Sequence, residues 1–457
     1  MPRRNLVVLM LALLLTVVCR MSGAPQSPYA RVLDNAMGIV KRQSLEPVTD
    51  LQLFAGAMQG MLDQLDENSM YFGPEQSDEF RETFDQQFAG IGIVAALDPE
   101  TKQLQVLSPI VGSPAYRAGI LARDRILKIG KTSTQGMSLQ DAVASLRGKE
   151  GEPVTLTVQH AGGQDSFEVT LVREIIHVAT VLGDTLNPDG SWNFFLEGHN
   201  RIGYVRITSF SEDTPLELER ALRWLAAQDM RGLVLDLRND PGGYLKAAVR
   251  VCDMLVPSGV IVTTRHRGGQ ISETYRASGK AEFTDFPIAV LVDQNTASAA
   301  EIVAACLQDH HRAVVVGQRT FGKGTVQEVV ELPPGCGLMK FTSSSYWRPS
   351  GLDIQRPRTA SKDRTWGVSP DKGFQVELTQ EESNRWQQWR QSRDVFQPPK
   401  KAETPPKVPA KTDASGKSTS PVYVDVQRRR AVEYVEKRAA ESEQAPADKP
   451  SSAAEKP

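Results

Sequence analysis

Ser298 and Lys323 are the residues whose types suit nucleophilic chemistry, because a serine hydroxyl attacks a carbonyl effectively only when a nearby base takes its proton. Histidine is the usual base. The six histidines, at positions 160, 177, 199, 266, 310 and 311, lie in no setting like that of a Ser-His-Asp enzyme. A lysine serves instead if burial draws its pKa from about 10.4 toward 7, a change of roughly 4 to 5 kcal/mol in the balance of its two protonation states. Lys323 stands between Gly322 and Gly324 and is followed by apolar residues, which suits such a placement. The plain alternatives are Ser298 as a helix cap and Lys323 as a surface loop residue. Gly317 with Gly322-Lys323 also fits the G-x-x-x-x-G-K of a phosphate-binding loop. Against that reading, Gly324 replaces the required Ser or Thr, and residues 325–332 are β-like where a helix should start.

The flanking segments must hold these two residues. Residues 288–292 form a short β-branched run ending in Asp293, Gln294 and Asn295, which predicts a buried strand entering a turn. Residues 299–307 are good helix formers with Glu301 in the first turn, where the helix end favours negative charge. Ser298 is thereby placed at a strand-to-helix junction, and residues 314–316 predict a second buried strand ahead of Lys323. Upstream, residues 202–209 and 232–237 read as strands, each followed by a helix. The first helix starts at Thr214-Pro215 and carries Leu218, Ala221, Leu222 and Leu225 on one face; the second runs from 244 to about 255. This alternation predicts an α/β layer. The paired glycines Gly242-Gly243 need serve nothing beyond a tight turn.

Together these residues resemble the carboxyl-terminal processing (tail-specific) protease family. The carriers are Thr296-Ala297-Ser298-Ala299-Ala300-Glu301-Ile302, then Thr320-Phe321-Gly322-Lys323-Gly324 with the lysine 25 residues after the serine, then Gln327 four further on. The resemblance implies Ser298 as nucleophile, Lys323 as general base and Gln327 as the residue that orients the lysine. It implies oxyanion donors at the N–H groups of Gly243, with Gly242 as the adjacent alternative, and Ala299. Donors of this kind are worth about 3 to 4 kcal/mol each. Gly60-Met61-Leu62, Leu65-Asp66 and Ser69 fit the family's N-terminal helical segment. Tyr346, Pro349-Ser350-Gly351, Ile354 and Gly367-Val368-Ser369-Pro370-Asp371 fit its later motifs, although 356–365 is a longer link than the family leads one to expect.

Phe88-Ala89-Gly90-Ile91-Gly92-Ile93 opens a region of short β-like runs ending near Arg173. A glycine-rich turn leading into a strand presents N–H groups to a terminal carboxylate and lets a peptide add to the sheet edge. Ser113-Pro114-Ala115, Ala118-Gly119-Ile120, 124–129 and Leu146-Arg147-Gly148 resemble PDZ landmarks, with Arg123 standing where a glycine is usual. Peptide binding is therefore expected at Gly90, Ile91 and Gly92.

The 457 residues, 40% hydrophobic, suffice for two or three domains, and a net charge of −2 gives no sign of a nucleic-acid partner. Residues 1–24, with Arg3, Arg4 and the apolar run 6–18, have the form of a signal peptide, so the expected location is exported, periplasmic or membrane-anchored facing the periplasm. Of the four cysteines, Cys252 and Cys306 read as small core residues, and no disulfide framework emerges. The implied fold is an α/β protease core of strand-helix layers, similar to the crotonase and Clp-protease folds, with an inserted β-rich PDZ domain and an N-terminal helical segment. The expected order is signal peptide 1–24, helical segment 25–85, PDZ domain 86–175 with hinges near Gln86 and Ile175, serine protease core 176–396, and a Pro/Lys/Ala-rich tail 397–457 holding a helix at 425–440. No cofactor or metal is implied. The expected partners are protein or peptide C-termini, with membrane association through the N-terminus and a homo-oligomer left open. The alternatives are a PDZ scaffold that holds exported proteins without cutting them, and a periplasmic ligand carrier on the same core.

Overall fold

The structure is a computed structural model that describes residues 27–98, 100–357, 365–396 and 423–444. Two compact units divide it, one drawn from residues 1–77 and 327–342 and the other from 78–326 and 343–457. The expected signal peptide and most of the Pro/Lys-rich tail lie outside the described residues. Among the described residues no helix is long and apolar enough to cross a membrane.

In the first unit, helices α1 (Pro28–Gln43) and α2 (Asp50–Leu62) precede strand β1 (Met70–Phe72). Thr49 caps α2 and exchanges hydrogen bonds with Gln52 in a capping box. β1 pairs antiparallel with residues 338–340, so the helical segment shares its unit with chain from the region expected to be protease core.

The second unit begins within helix α3 (Pro74–Asp85) and contains the PDZ fold. Strand β2 (Gln87–Gly90) leads to β3 (Ile93–Leu97), β4 (Leu104–Pro109), β5 (Arg125–Ile129), helix α4 (Leu139–Leu146), β6 (Pro153–Gln159) and β7 (Ser166–Val172). The sheet order is β3-β4-β5-β6-β7, all antiparallel, which leaves one edge of β3 unpaired among the described residues. Arg123 adopts φ +72, so the turn keeps the left-handed geometry of the usual glycine despite its Cβ. The ends of the insert are not open hinges. β2 pairs antiparallel with β8 (Glu174–His177), zipping entry and exit together, and the Val178 N–H donates to the Gln86 carbonyl.

The core follows as β9 (Val181–Leu182), β10 (Ile202–Ile207), α5 (Thr214–Ala227), β11 (Gly232–Asp236) and α6 (Leu245–Leu255). After the hairpin β12 (Val260–Arg265) and β13 (Ile271–Arg276) come β14 (Ile288–Val292), α7 (Ala299–Asp309), β15 (Ala313–Gly317), β16 (Thr325–Glu331) and β17 (Leu338–Trp347). The central sheet runs β9-β10-β11-β14-β15; the last four strands are parallel and β9 is antiparallel to β10. Both faces are covered, which is why these strands read as unbroken apolar runs. Val205, Leu235, Val290 and Val315 point with α5, α6 and α7 into one cluster; Tyr204, Val234, Leu291 and Val316 point into another.

That second face is closed by the tail. After α8 (Gln380–Arg393), helix α9 (Val426–Gln444) lays Ala431, Val432 and Val435 on the sheet. The helix expected at 425–440 thus extends to Gln444 and belongs to the core. A Cβ at Gly232 would lie 2.1 Å from Val435 Cγ1, so only glycine allows this approach. Arg238, fully buried, anchors the start of α9: it pairs with Asp236 at 2.6 Å and Asp425 at 2.8 Å and stacks on Trp386.

Candidate active site

The loops after β11, β14 and β15 converge at the C-terminal ends of neighbouring parallel strands, where open α/β sheets place their ligands. After β14 the chain turns at Asp293, whose buried carboxylate accepts from the N–H groups of Asn239, Asn295 and Thr296 at 3.0 Å each. Thr296 Oγ1 donates to the Leu237 carbonyl at 2.8 Å, and the Ala297 N–H donates to the Asp240 carbonyl at 2.9 Å. The turn carrying Ser298 is thereby laced to the turn carrying Gly242-Gly243.

Ser298 is the N-cap of α7 with φ 56 and ψ −118, a conformation that costs a non-glycine residue about 1 to 3 kcal/mol and persists only where its surroundings impose it. Gly242 is part of that constraint. With φ +95, it approaches so closely that an added Cβ would lie 2.7 Å from Ser298 Cβ and 2.8 Å from the Ala299 nitrogen. The Gly242 N–H donates to Asp240 Oδ1 at 2.8 Å. The N–H groups of Gly243 and Ala299 donate to no acceptor among the described residues. Of the two glycines, Gly243 is therefore the one whose N–H is unengaged among the described residues.

Glu301 is fully buried and joins the two chemical residues. Its Oε2 accepts from the N–H of Ser298 at 2.9 Å and from the N–H of Lys323 at 2.8 Å. Its Oε1 accepts from the Gly322 N–H at 2.8 Å and from the Thr320 hydroxyl. Burial pushes its pKa up, against the lowering effect of these four donors. Tyr346, on β17, donates its hydroxyl to the Lys323 carbonyl and is hydrogen-bonded to the Ser298 side chain. Burial, with Glu301 nearby, holds the phenol protonated well above its ordinary range.

The structure thus brings together Ser298, Gly242, Ala299 and the backbone of Lys323. Gln327 falls in the first unit, where its Nε2 donates to Thr342 Oγ1 at 3.3 Å. Sequence reasoning missed the roles of Glu301 and Tyr346 in tying the loops. A signal for Glu301 existed: it is the sole charged residue from Thr296 to Gln308, in a run otherwise too apolar to face water.

In the PDZ fold, Gly90, Ile91 and Gly92 form the connection from β2 to β3 beside the unpaired edge of β3. A cavity of about 260 Å³ opens there, lined among others by Phe88, Ile91, Ile93, Val143 and Leu146. Gly92 has φ +74 and lies against Ser113, whose Cβ would be 2.2 Å from an added Cβ, so no side chain fits. Apolar walls beside an open strand edge suit an extended peptide with an apolar end.

A strand-turn-helix serine on a parallel sheet, joined to a lysine loop and accompanied by a PDZ fold, defines the class of serine peptidases with peptide-recognition domains. Residues 201–372 match the model of peptidase family S41, and residues 105–160 match a PDZ domain. The chain is 38% identical over 303 residues to a carboxyl-terminal-processing protease of Synechocystis, covering 66% of this chain and 68% of that one. It is 37% identical over 322 residues to a carboxy-terminal-processing protease of Bartonella bacilliformis, covering 69% and 70%. A solved structure, the photosystem II D1 C-terminal processing protease, is 29% identical with a TM-score of 0.43, covering 78% of this chain and 94% of that one. The chain belongs to peptidase family S41, as a PDZ-containing member of the carboxyl-terminal processing serine proteases.

Proposed function

We propose that the protein is an exported endopeptidase that holds a substrate by its C-terminal end on the PDZ domain and cuts upstream by a Ser-Lys mechanism. Neutral Lys323 takes the proton of Ser298 as its oxygen attacks the scissile carbonyl, and Gln327 orients the lysine. The N–H groups of Gly243 and Ala299 hold the oxyanion, the amine leaves with a proton from Lys323, and water releases the acyl group from Ser298. Gly90, Ile91 and Gly92 receive the terminal carboxylate while the peptide extends the edge of β3. The observation that supports this reading is the Glu301 carboxylate, which accepts from the backbone N–H of both Ser298 and Lys323 and so ties the serine and lysine loops to one buried group.

The test is cleavage of an unstructured polypeptide with an apolar free end by the wild type, Ser298→Ala and Lys323→Arg. Both variants should keep the fold and lose activity by orders of magnitude, since arginine stays protonated in proteins. Full activity of Lys323→Arg would refute the neutral-base mechanism, and uncut substrate with the wild type would favour a non-cleaving scaffold.

A further inference from the structure

The loop that carries Lys323 is built against a cationic surface that the acyl-transfer chemistry does not use. The Arg356 N–H donates to the Gly322 carbonyl at 2.8 Å. A Cβ at Gly322 would lie 2.6 Å from Trp366 Cε3 and 2.9 Å from Arg356 Cβ, so both residues pack directly on the neighbour of the catalytic lysine. Two guanidinium groups, of Arg319 and Arg356, each lie 5.0 Å from the centroid of the Trp366 ring. Both arginines are exposed, and Phe321 beside them is 51% exposed.

These arginines differ from those that stack on Trp386 and Trp389 in the same unit. Arg238 over Trp386 is matched by Asp236 and Asp425, and Arg390, Arg393 and Arg428 around Trp389 share Asp184. Arg319 donates from Nε to Ser369 Oγ at 3.0 Å, and neither it nor Arg356 has a carboxylate partner among the described residues. Like charges held on one ring repel, and no carboxylate among the described residues relieves them. Stacking on the indole holds each guanidinium while leaving the terminal donors of its fork open toward solvent, the donors that bind a carboxylate with two parallel hydrogen bonds. An extended substrate advances about 3.3 Å per residue, so a group one to three residues from the cut reaches a surface that touches Gly322.

We propose that Arg319 and Arg356, spread on Trp366, form a substrate subsite for a carboxylate close to the scissile bond, with Phe321 as its apolar neighbour. The carboxylate is either an Asp or Glu side chain or the free end of the chain being shortened. This subsite rests on the peptidase reading above and names the substrate class of that site.

The test uses two sets of peptides with the full-length protein. In the first, the end is amidated and Glu, Gln or Lys is placed in turn at each of the three positions on either side of the cut. In the second, no acidic residue is present and peptides with free and amidated ends lie one to three residues beyond the cut. Values of kcat/KM are compared for the wild type and the Arg319→Gln/Arg356→Gln variant, at low salt and at high salt. One set should show the carboxylate form cleaved about tenfold faster than its neutral counterpart by the wild type, with the lysine form slowest. In the double variant that ratio should fall to within about twofold of unity, and salt should shrink it in the wild type. The first set responding assigns the site to acidic side chains, and the second to terminal carboxylates. Ratios near unity in both sets, or a ratio that survives in the double variant, overturn the subsite. Absence of any Ser298-dependent cleavage overturns the peptidase reading and the subsite with it.

Discussion

At the scale of single residues, the site depends on carboxyl groups buried at its base. Glu301 fills both of its oxygens with donors from Ser298, Thr320, Gly322 and Lys323, and only an ionised carboxylate can accept from all four. Glu301→Gln replaces one acceptor oxygen with a donor and leaves at least one of these N–H groups facing another. Cleavage is expected to fall about 100-fold, as for a small displacement of aligned reactants. Because burial raises the pKa of Glu301 above 4.5, wild-type activity should fall on acidification before the pH reaches the ordinary glutamate range. A pH-rate profile, with circular dichroism to check folding, reads both effects.

Asp240 lies equally deep beside the glycine turn. Its Oδ1 accepts from Gly242, its Oδ2 has no partner among the described residues, and burial, aided by the nearby Asp293, raises its pKa well above 3.8. A folded-state pKa above the unfolded one stabilises the fold fully below about pH 3.8, and that contribution is lost as pH rises toward the folded value. Asp240→Asn keeps the acceptor and cannot ionise. The wild type should therefore lose stability relative to this variant by about 1.4 kcal/mol per pH unit across that window. Denaturant midpoints measured from pH 4 to 9 would show the two lines diverging; parallel lines would mean that Asp240 does not titrate with folding.

At the scale of elements, much of the core was legible because its signals are local. The β-branched runs at 288–292 and 314–316 carry strand propensity and length together, and Gly242-Gly243 directly follows a strand. The serine-to-lysine spacing was legible through the family resemblance, and α7 and β15 fill most of that interval. The tail helix was harder to weigh, since its buried stripe of Ala431, Val432, Val435 and Ala439 is narrow and small, and Gln427 is buried among them. Its attachment is polar and distant in sequence: Arg238 meets Asp425 across 187 residues. Burial disfavours the charge on Asp425, but the Arg238 guanidinium, with the backbone N–H and charge of Arg428, brings the carboxyl below its usual range. Asp425→Ala would leave a buried cation short of one partner, at a cost of about 3 to 5 kcal/mol. Thermal denaturation should show the loss, and limited proteolysis should cut between 423 and 444 sooner than in the wild type.

At the scale of the molecule, the PDZ fold is docked within its unit as well as tethered. The Tyr116 ring meets Phe396 edge-on with centroids 5.3 Å apart, and the Phe396 N–H donates to Ser108 Oγ at 3.2 Å. Val111 fills the space beside Gly190, where a Cβ would lie 2.7 Å from its methyl groups. Phe396 is 5% exposed and ends the described segment that follows α8. Phe396→Ala removes the largest of these contacts and should weaken docking by roughly 3 kcal/mol. Hydrogen exchange at the amides of 104–117 should rise while exchange in β14 and β15 stays the same; unchanged exchange at 104–117 would mean that β2 and β8 alone hold the PDZ fold.

The position of α9 bears on how the enzyme is made. A chain leaves the ribosome from its N-terminus, and β15 emerges about a hundred residues ahead of α9. Until α9 arrives, one side of the central sheet lacks its main cover and Arg238, a few residues from the Gly242-Gly243 turn, lacks its second carboxylate. A chain that has reached Lys323 but not α9 therefore carries the Ser298 and Lys323 loops on a sheet still missing Ala431, Val432 and Val435 from its second face.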